Sequence, residues 1–169
     1  PLWSRGLGDV YKRQAMTGLT TGIGNTGIGR NVMSSAALTG NYNCGMGQSA
    51  LTSLTSGGDN VGIGVNALST VSTGSSNVGI GRDALLNSTA SSLTAVGYQA
   101  LYNNTTGVNN VAVGYQASIN VQGAGSYTTA VGYQCLYNTT TGRNTAYGNQ
   151  AAFSATTASQ ITAIGDNAL

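Results

Sequence analysis

Histidine and glutamate are both missing from this chain of 169 residues, and proline and tryptophan occur once each. Charged residues make up 6% of it, against about 25% in an ordinary globular domain. Without His or Glu the usual general bases and metal ligands are lacking, so the chain reads as a non-enzyme with no cofactor and no metal. Serine and threonine abound, but no base is present to activate one as a nucleophile. The net charge of +2 gives no reason to expect a nucleic-acid or anionic-membrane partner. No run of about 18 apolar residues occurs, so this segment holds no membrane-inserting helix. What the chain does have is glycine, 26 of them, spread over a size that suits one domain.

Residues Pro1 to Gln14 (PLWSRGLGDVYKRQ) stand apart in composition. They hold the single Pro, the single Trp, the single Lys (Lys12) and half of the basic residues. The run Ser4 to Gln14 resembles the in-frame translation of a transposase-type sequencing adapter. That resemblance implies a non-native, disordered segment over 1–14, to be left out of fold reasoning. It leaves 15–169 as the native domain, with three Arg against three Asp and no net charge. The native part is then expected to be a fragment of a longer protein, its true start unread.

Repeats fill the remainder. Aligning on a glycine that follows a small and then a large residue gives Gly29, Gly47, Gly64, Gly81, Gly97, Gly114, Gly132, Gly148 and Gly165. Their spacings are 18, 17, 17, 16, 17, 18, 16 and 17, a mean of 17. Two before the anchor stands Gly or Ala; three after, a small residue such as Ala67, Ala84 or Ala100; four after, mostly Leu, as in Leu51, Leu68, Leu85, Leu101 and Leu136. One before the anchor is always large, and Ile63, Ile80, Val96, Val113 and Val131 are expected to point into one shared interior. Turn-formers such as Thr73-Gly74 and Asn103 to Gly107 separate the copies.

Seventeen residues are too few for two helices, and the Gly, Thr and Val positions favour short strands. One copy buries about two large side chains at about 1.5–3 kcal/mol each, while ordering it costs about 1.5 kcal/mol per residue. A lone copy is therefore unfolded, and stacking is the remedy. The fold class expected is all-β: a repetitive β-solenoid of about nine coils, about 43 Å long at about 4.8 Å per coil. The Gly/Ala column offers close backbone approach between chains, and a thin roll needs extra burial, which together point to a trimer. A roll cut mid-array exposes strand edges at both ends, so end-to-end association is the other expected behaviour.

Several motifs invite a site. Gly22-Ile23-Gly24-Asn25-Thr26-Gly27 has the dinucleotide glycine pattern, but no helix is expected after it. Gly57-Gly58-Asp59-Asn60 has the look of a calcium roll that would need an Asp in turn after turn. Asn87, Asn104 and Asn138 begin glycosylation sequons that turn propensity already explains. Cys44 and Cys135 lie five copies apart, about 24 Å, too far for a disulfide. The candidate surface is an aromatic strip: Tyr98, Tyr115 and Tyr133 one after the anchor, Tyr102 and Tyr137 five after it. It would stack on sugars or partner side chains if it faces outward, or stiffen the sheet as a cross-coil ladder.

Copies such as Thr94 to Leu101 (TAVGYQAL) and Thr129 to Leu136 (TAVGYQCL) resemble trimeric autotransporter adhesin head repeats, and with their Asn-Thr-Thr-Gly spacers they are also similar to phage tail-fibre repeats. The resemblance spans Asn25 to Leu169, although the period of 17 is longer than the typical head repeat. It implies a left-handed parallel β-roll, a homotrimer, and an extracellular location on a bacterial surface or a virion. The implied function is a structural and adhesive fibre module that meets a host-cell surface, glycan or matrix ligand. The alternative is an ice- or carbohydrate-surface binder built on Thr26, Thr94, Thr129, Thr145 and Thr162, a column interrupted by Val61, Val78 and Val111.

Overall fold

The computed structural model describes residues 15–18, 20–121 and 125–169; the expectation for 1–14 lies outside them. Nine three-residue strands follow one another: β1 (Thr26–Ile28), β2 (Cys44–Met46), β3 (Val61–Ile63), β4 (Val78–Ile80), β5 (Thr94–Val96), β6 (Val111–Val113), β7 (Thr129–Val131), β8 (Thr145–Tyr147) and β9 (Thr162–Ile164). They form one parallel sheet in chain order. Register never slips: Gly45 pairs with Gly62, Gly62 with Gly79, Gly79 with Ala95. The described residues include no helix. The chain is an all-β solenoid of eight turns from β1 to β9, which eight steps of about 4.8 Å place about 38 Å apart.

An anchor glycine follows each strand directly, and two facts oblige glycine there. Its φ lies between +120° and +140° in all nine copies, a region L side chains rarely enter. A Cβ at any of the first eight would come closer than 3.0 Å to the carbonyl oxygen of the next anchor. The nine glycines therefore stack in a column, as their spacing implied.

Beyond the anchor, the second and fourth residues take left-handed conformations in every coil, as Gln99 (φ 55°) and Leu101 (φ 51°) do. Left-handed backbone costs about 1–2 kcal/mol per non-glycine residue, and here it directs hydrogen bonds alternately along the stack. Gln99 N–H donates back to Arg82 O at 3.0 Å, whereas Leu101 N–H donates forward to Ala117 O at 3.1 Å. Each coil is thus tied to both neighbours outside the strands as well as within them.

The core corrects the expected facing. Ile63, Ile80, Val96, Val113 and Val131 do not line the interior; they point outward, half-buried or exposed. The strand's middle residue points in instead: Ala95, Ala112, Ala130 and Ala146 are fully buried. Bulk comes from the opposite wall, where Leu51, Leu68, Leu85, Leu101 and Leu136 are fully buried. A Cβ on Gly62 would lie 3.1 Å from Leu51 Cγ, and one on Gly79 3.1 Å from Leu68 Cγ. Each coil is too thin to hold a large residue on both walls. The Gly/Ala column therefore packs on its own chain's leucines, and the argument that it admits a second chain falls.

A second internal column is polar. Four before the anchor stand Asn25, Asn43, Asn60, Asn77, Asn110 and Asn144. Asn60 donates from N and from Nδ2 to Asn43 Oδ1, and its Nδ2 also reaches Gly74 O at 2.9 Å. Such ladders satisfy turn carbonyls that burial would otherwise strand.

Candidate binding surface

The outward sheet face carries two parallel rows. The first strand residues give Thr26, Cys44, Val61, Val78, Thr94, Val111, Thr129, Thr145 and Thr162. The third give Ile28, Met46, Ile63, Ile80, Val96, Val113, Val131, Tyr147 and Ile164. Alternation along a strand sends both rows the same way. The second row is apolar or aromatic throughout, and of its members Ile28, Met46, Ile80, Val113, Tyr147 and Ile164 are exposed. An apolar row of this kind on an outward face makes it the candidate binding surface.

Beside it runs the tyrosine column. Tyr98 and Tyr115 stack at 5.2 Å between centroids with 17° between planes, and Tyr115 and Tyr133 at 5.4 Å and 12°. The rings are exposed at their edges, but stacking sets their faces against one another. Tyr115, in the middle, presents an edge and a hydroxyl rather than a face that a sugar could stack on. Next to the column, Gln116 donates to Gln99 at 2.9 Å, Gln134 to Gln116 at 3.0 Å and Gln150 to Gln134 at 3.1 Å. Tyr102 and Tyr137 stand in a different, half-buried column, where Tyr137 stacks on Phe153 at 5.1 Å.

The remaining motifs resolve as structure. The run Gly22 to Gly27 ends within β1, which starts at Thr26, and no helix among the described residues follows it. Asp59 occupies a left-handed turn position with φ 58°, and the described residues hold no cluster of three metal-ligating side chains. Asn104 is fully buried, donating from Nδ2 to Gly107 O at 2.7 Å, and Asn87 donates to Asn103. Both cysteines are free; Cys135 is buried, while Cys44 lies half-buried on the outward face. No helix among the described residues is long and apolar enough to cross a membrane.

A polar groove of about 530 Å³ opens on the turn side of the last coils, lined by Ser126, Tyr127, Thr141, Gly142, Arg143, Ser159 and Gln160. No family model matches the chain, and neither does any curated protein or solved structure. The surface must speak for itself. Sequence reasoning had passed over both this groove and the outward apolar row. A cue to the groove was present: the 18-residue interval from Gly114 to Gly132 is followed by one of 16 from Gly132 to Gly148.

Proposed function

We propose that this chain is a stiff structural and adhesive module of an extracellular fibre, on a bacterial surface or a virion, joined as a homotrimer through its apolar sheet face. The single observation that supports it is the outward row from Ile28 to Ile164, nine large side chains long on an unbroken parallel sheet. Burying such a row contributes about 25 cal/mol per Å² of apolar surface removed from water. A solenoid with uniform register gives a rod, and a rod holds whatever it presents at a fixed distance from its anchor. The reading is non-enzymatic. Light scattering on the purified chain tests it: three times the single-chain mass is expected, and a monodisperse, stable monomer overturns the trimer.

The second reading is a binder of ice or of an extended carbohydrate surface. One arrangement favours it: Thr26, Thr94, Thr129, Thr145 and Thr162 share one row of the same flat face. The two readings compete for that face, because a trimer that buries it withdraws it from any external surface. Inhibition of ice recrystallisation by a single-chain species would favour the second.

A further inference from the structure

We propose that the groove around Arg143 and Tyr127 binds a carboxylated sugar residue. It rests on the fibre reading only for where such a ligand would be met; the site needs one chain. The groove begins in the repeat lengths. In the coil from Gly132 to Gly148, one of two with 16 residues, the polar turn is one residue shorter than in a 17-residue coil, and a Cβ on Gly142 would collide with the Ser126 backbone. Tyr127 and Arg143, at equivalent left-handed positions one coil apart, both line the groove beside this shortened turn.

The chemistry of the lining selects the ligand. Arg143 is exposed and has no ion-pair partner among the described residues, where the pair present is Arg82 with Asp83. Among the described residues no carboxylate lines the groove, where Arg143 supplies the one charge. Guanidinium recognises a carboxylate through paired, charge-assisted hydrogen bonds. Around it stand hydroxyls of both kinds of use. Ser126 Oγ accepts from Val108 N–H at 3.1 Å, which leaves its own proton to donate. Thr141 Oγ1 donates to Ala158 O at 2.5 Å, which leaves its lone pairs to accept. Tyr127 is exposed and, unlike the ladder tyrosines, has no aromatic partner among the described residues, so its ring edge and hydroxyl are available to a sugar. One cation, mixed hydroxyls and one exposed aromatic ring fit a sugar that carries a carboxylate.

The test titrates the full chain with oligogalacturonate and with sialyllactose, and in parallel with methyl-esterified oligogalacturonate and inorganic sulfate, following the ligands by saturation-transfer NMR. Binding of at least one acidic sugar is expected, with the ester and Arg143→Gln each weaker by about tenfold or more. Tyr127→Ala should weaken binding similarly, while Tyr115→Ala leaves it unchanged. Melting curves and light scattering of Arg143→Gln and Tyr127→Ala should match the parent, which separates loss of the site from loss of fold or assembly. Absence of binding to both acidic sugars overturns the proposal, as does binding undiminished in Arg143→Gln. Displacement by equimolar sulfate would mean an adventitious ion only, and overturns it too. A monomer that still binds the acidic sugar would overturn the trimer and leave this site standing.

Discussion

The side-chain oxygen of Asn43 receives both the backbone N–H and the side-chain amide of Asn60, each at 3.0 Å. The same bonding links Asn25 to Asn43, and Asn77 Oδ1 goes on to accept from Leu93 N–H at 3.0 Å. Asn60 is fully buried, so both its amide donors and its acceptor must be used. Asn60→Ala abandons the Gly74 carbonyl and the Asn77 N–H and should cost about 1–3 kcal/mol. Asn60→Asp keeps the shape but sets a carboxylate against Asn43 Oδ1 and Gly74 O. It should cost more than Ala at neutral pH, and the excess should shrink as the pH falls and the carboxyl protonates. Urea denaturation at two pH values measures both; equal cost for Ala and Asp would show that the ladder oxygen is not held as described.

Stacking and backbone conformation separate at the anchor column. Gly97 has φ +133°, and a Cβ there would strike Gly114, whereas Gly165 has φ +128° and its Cβ would meet only Ala168 Cβ at 3.9 Å. Gly97→Ala thus suffers both penalties and Gly165→Ala only the dihedral one, about 1–3 kcal/mol. Thermal melts should show Gly97→Ala losing much the more. A matching loss would mean that conformation alone, not coil contact, fixes the glycines.

The facing of the strands gives the third prediction. Val113 is 36% exposed and Leu101 is fully buried. Leu101→Asp should abolish folding, because a buried charge has no partner. Val113→Asp should leave a single chain within about 1 kcal/mol of the parent while lowering the mass seen by light scattering. Unfolding by Val113→Asp would return the outward row to the core.

That row marks what was legible and what was not. The period, the anchor column and the parallel stacking all follow from where Gly29 to Gly165 fall, because φ and close approach leave glycine no substitute. Facing did not follow. A three-residue strand fixes only parity, and Val111-Ala112-Val113 alternates equally well with its valines in or out. What decides is the opposite wall, where Leu101 and Ala117 are buried and leave room for Ala112 alone. The asparagine column was visible as letters, but asparagine before a strand reads as a turn-former. Its ladder exists only once the coils are stacked. The Arg143 groove is of the same kind, since its parts come from three coils.

The tyrosine ladder predicts graded losses. Tyr115 makes two stacking contacts, Tyr98 and Tyr133 one each within it. At about 0.5–1.5 kcal/mol per aromatic pair, Tyr115→Ala should cost nearly twice what Tyr98→Ala does. Denaturation of the two variants and of Tyr98→Ala/Tyr115→Ala checks the coupling. Equal single losses would mean that the rings act separately, each with a face open to a ligand.

The two thiols should behave differently. Burial pushes the Cys135 thiol up from 9.0 to about 11, a backbone hydrogen bond at Val131 pulling it back part of the way. Thiolate is the reactive form, so Cys135 should resist maleimide at neutral pH, while Cys44, half-buried on the outward face, is labelled in a single chain and shielded where a trimer covers that face. The linkage has a definite sign. The folded chain holds the Cys135 proton to higher pH than the unfolded chain does, so this contribution to stability is whole below about pH 9 and is lost as the pH rises towards 11. The measurement is the difference from Cys135→Ala, which installs the residue most coils carry in that column, as at Ala84, Ala100 and Ala117. The parent should lose more stability than the variant between pH 8.5 and 10.5, two values on either side of about 9. Parallel curves, or rapid labelling of Cys135 in the folded chain, would show that the thiol is not sealed between the coils.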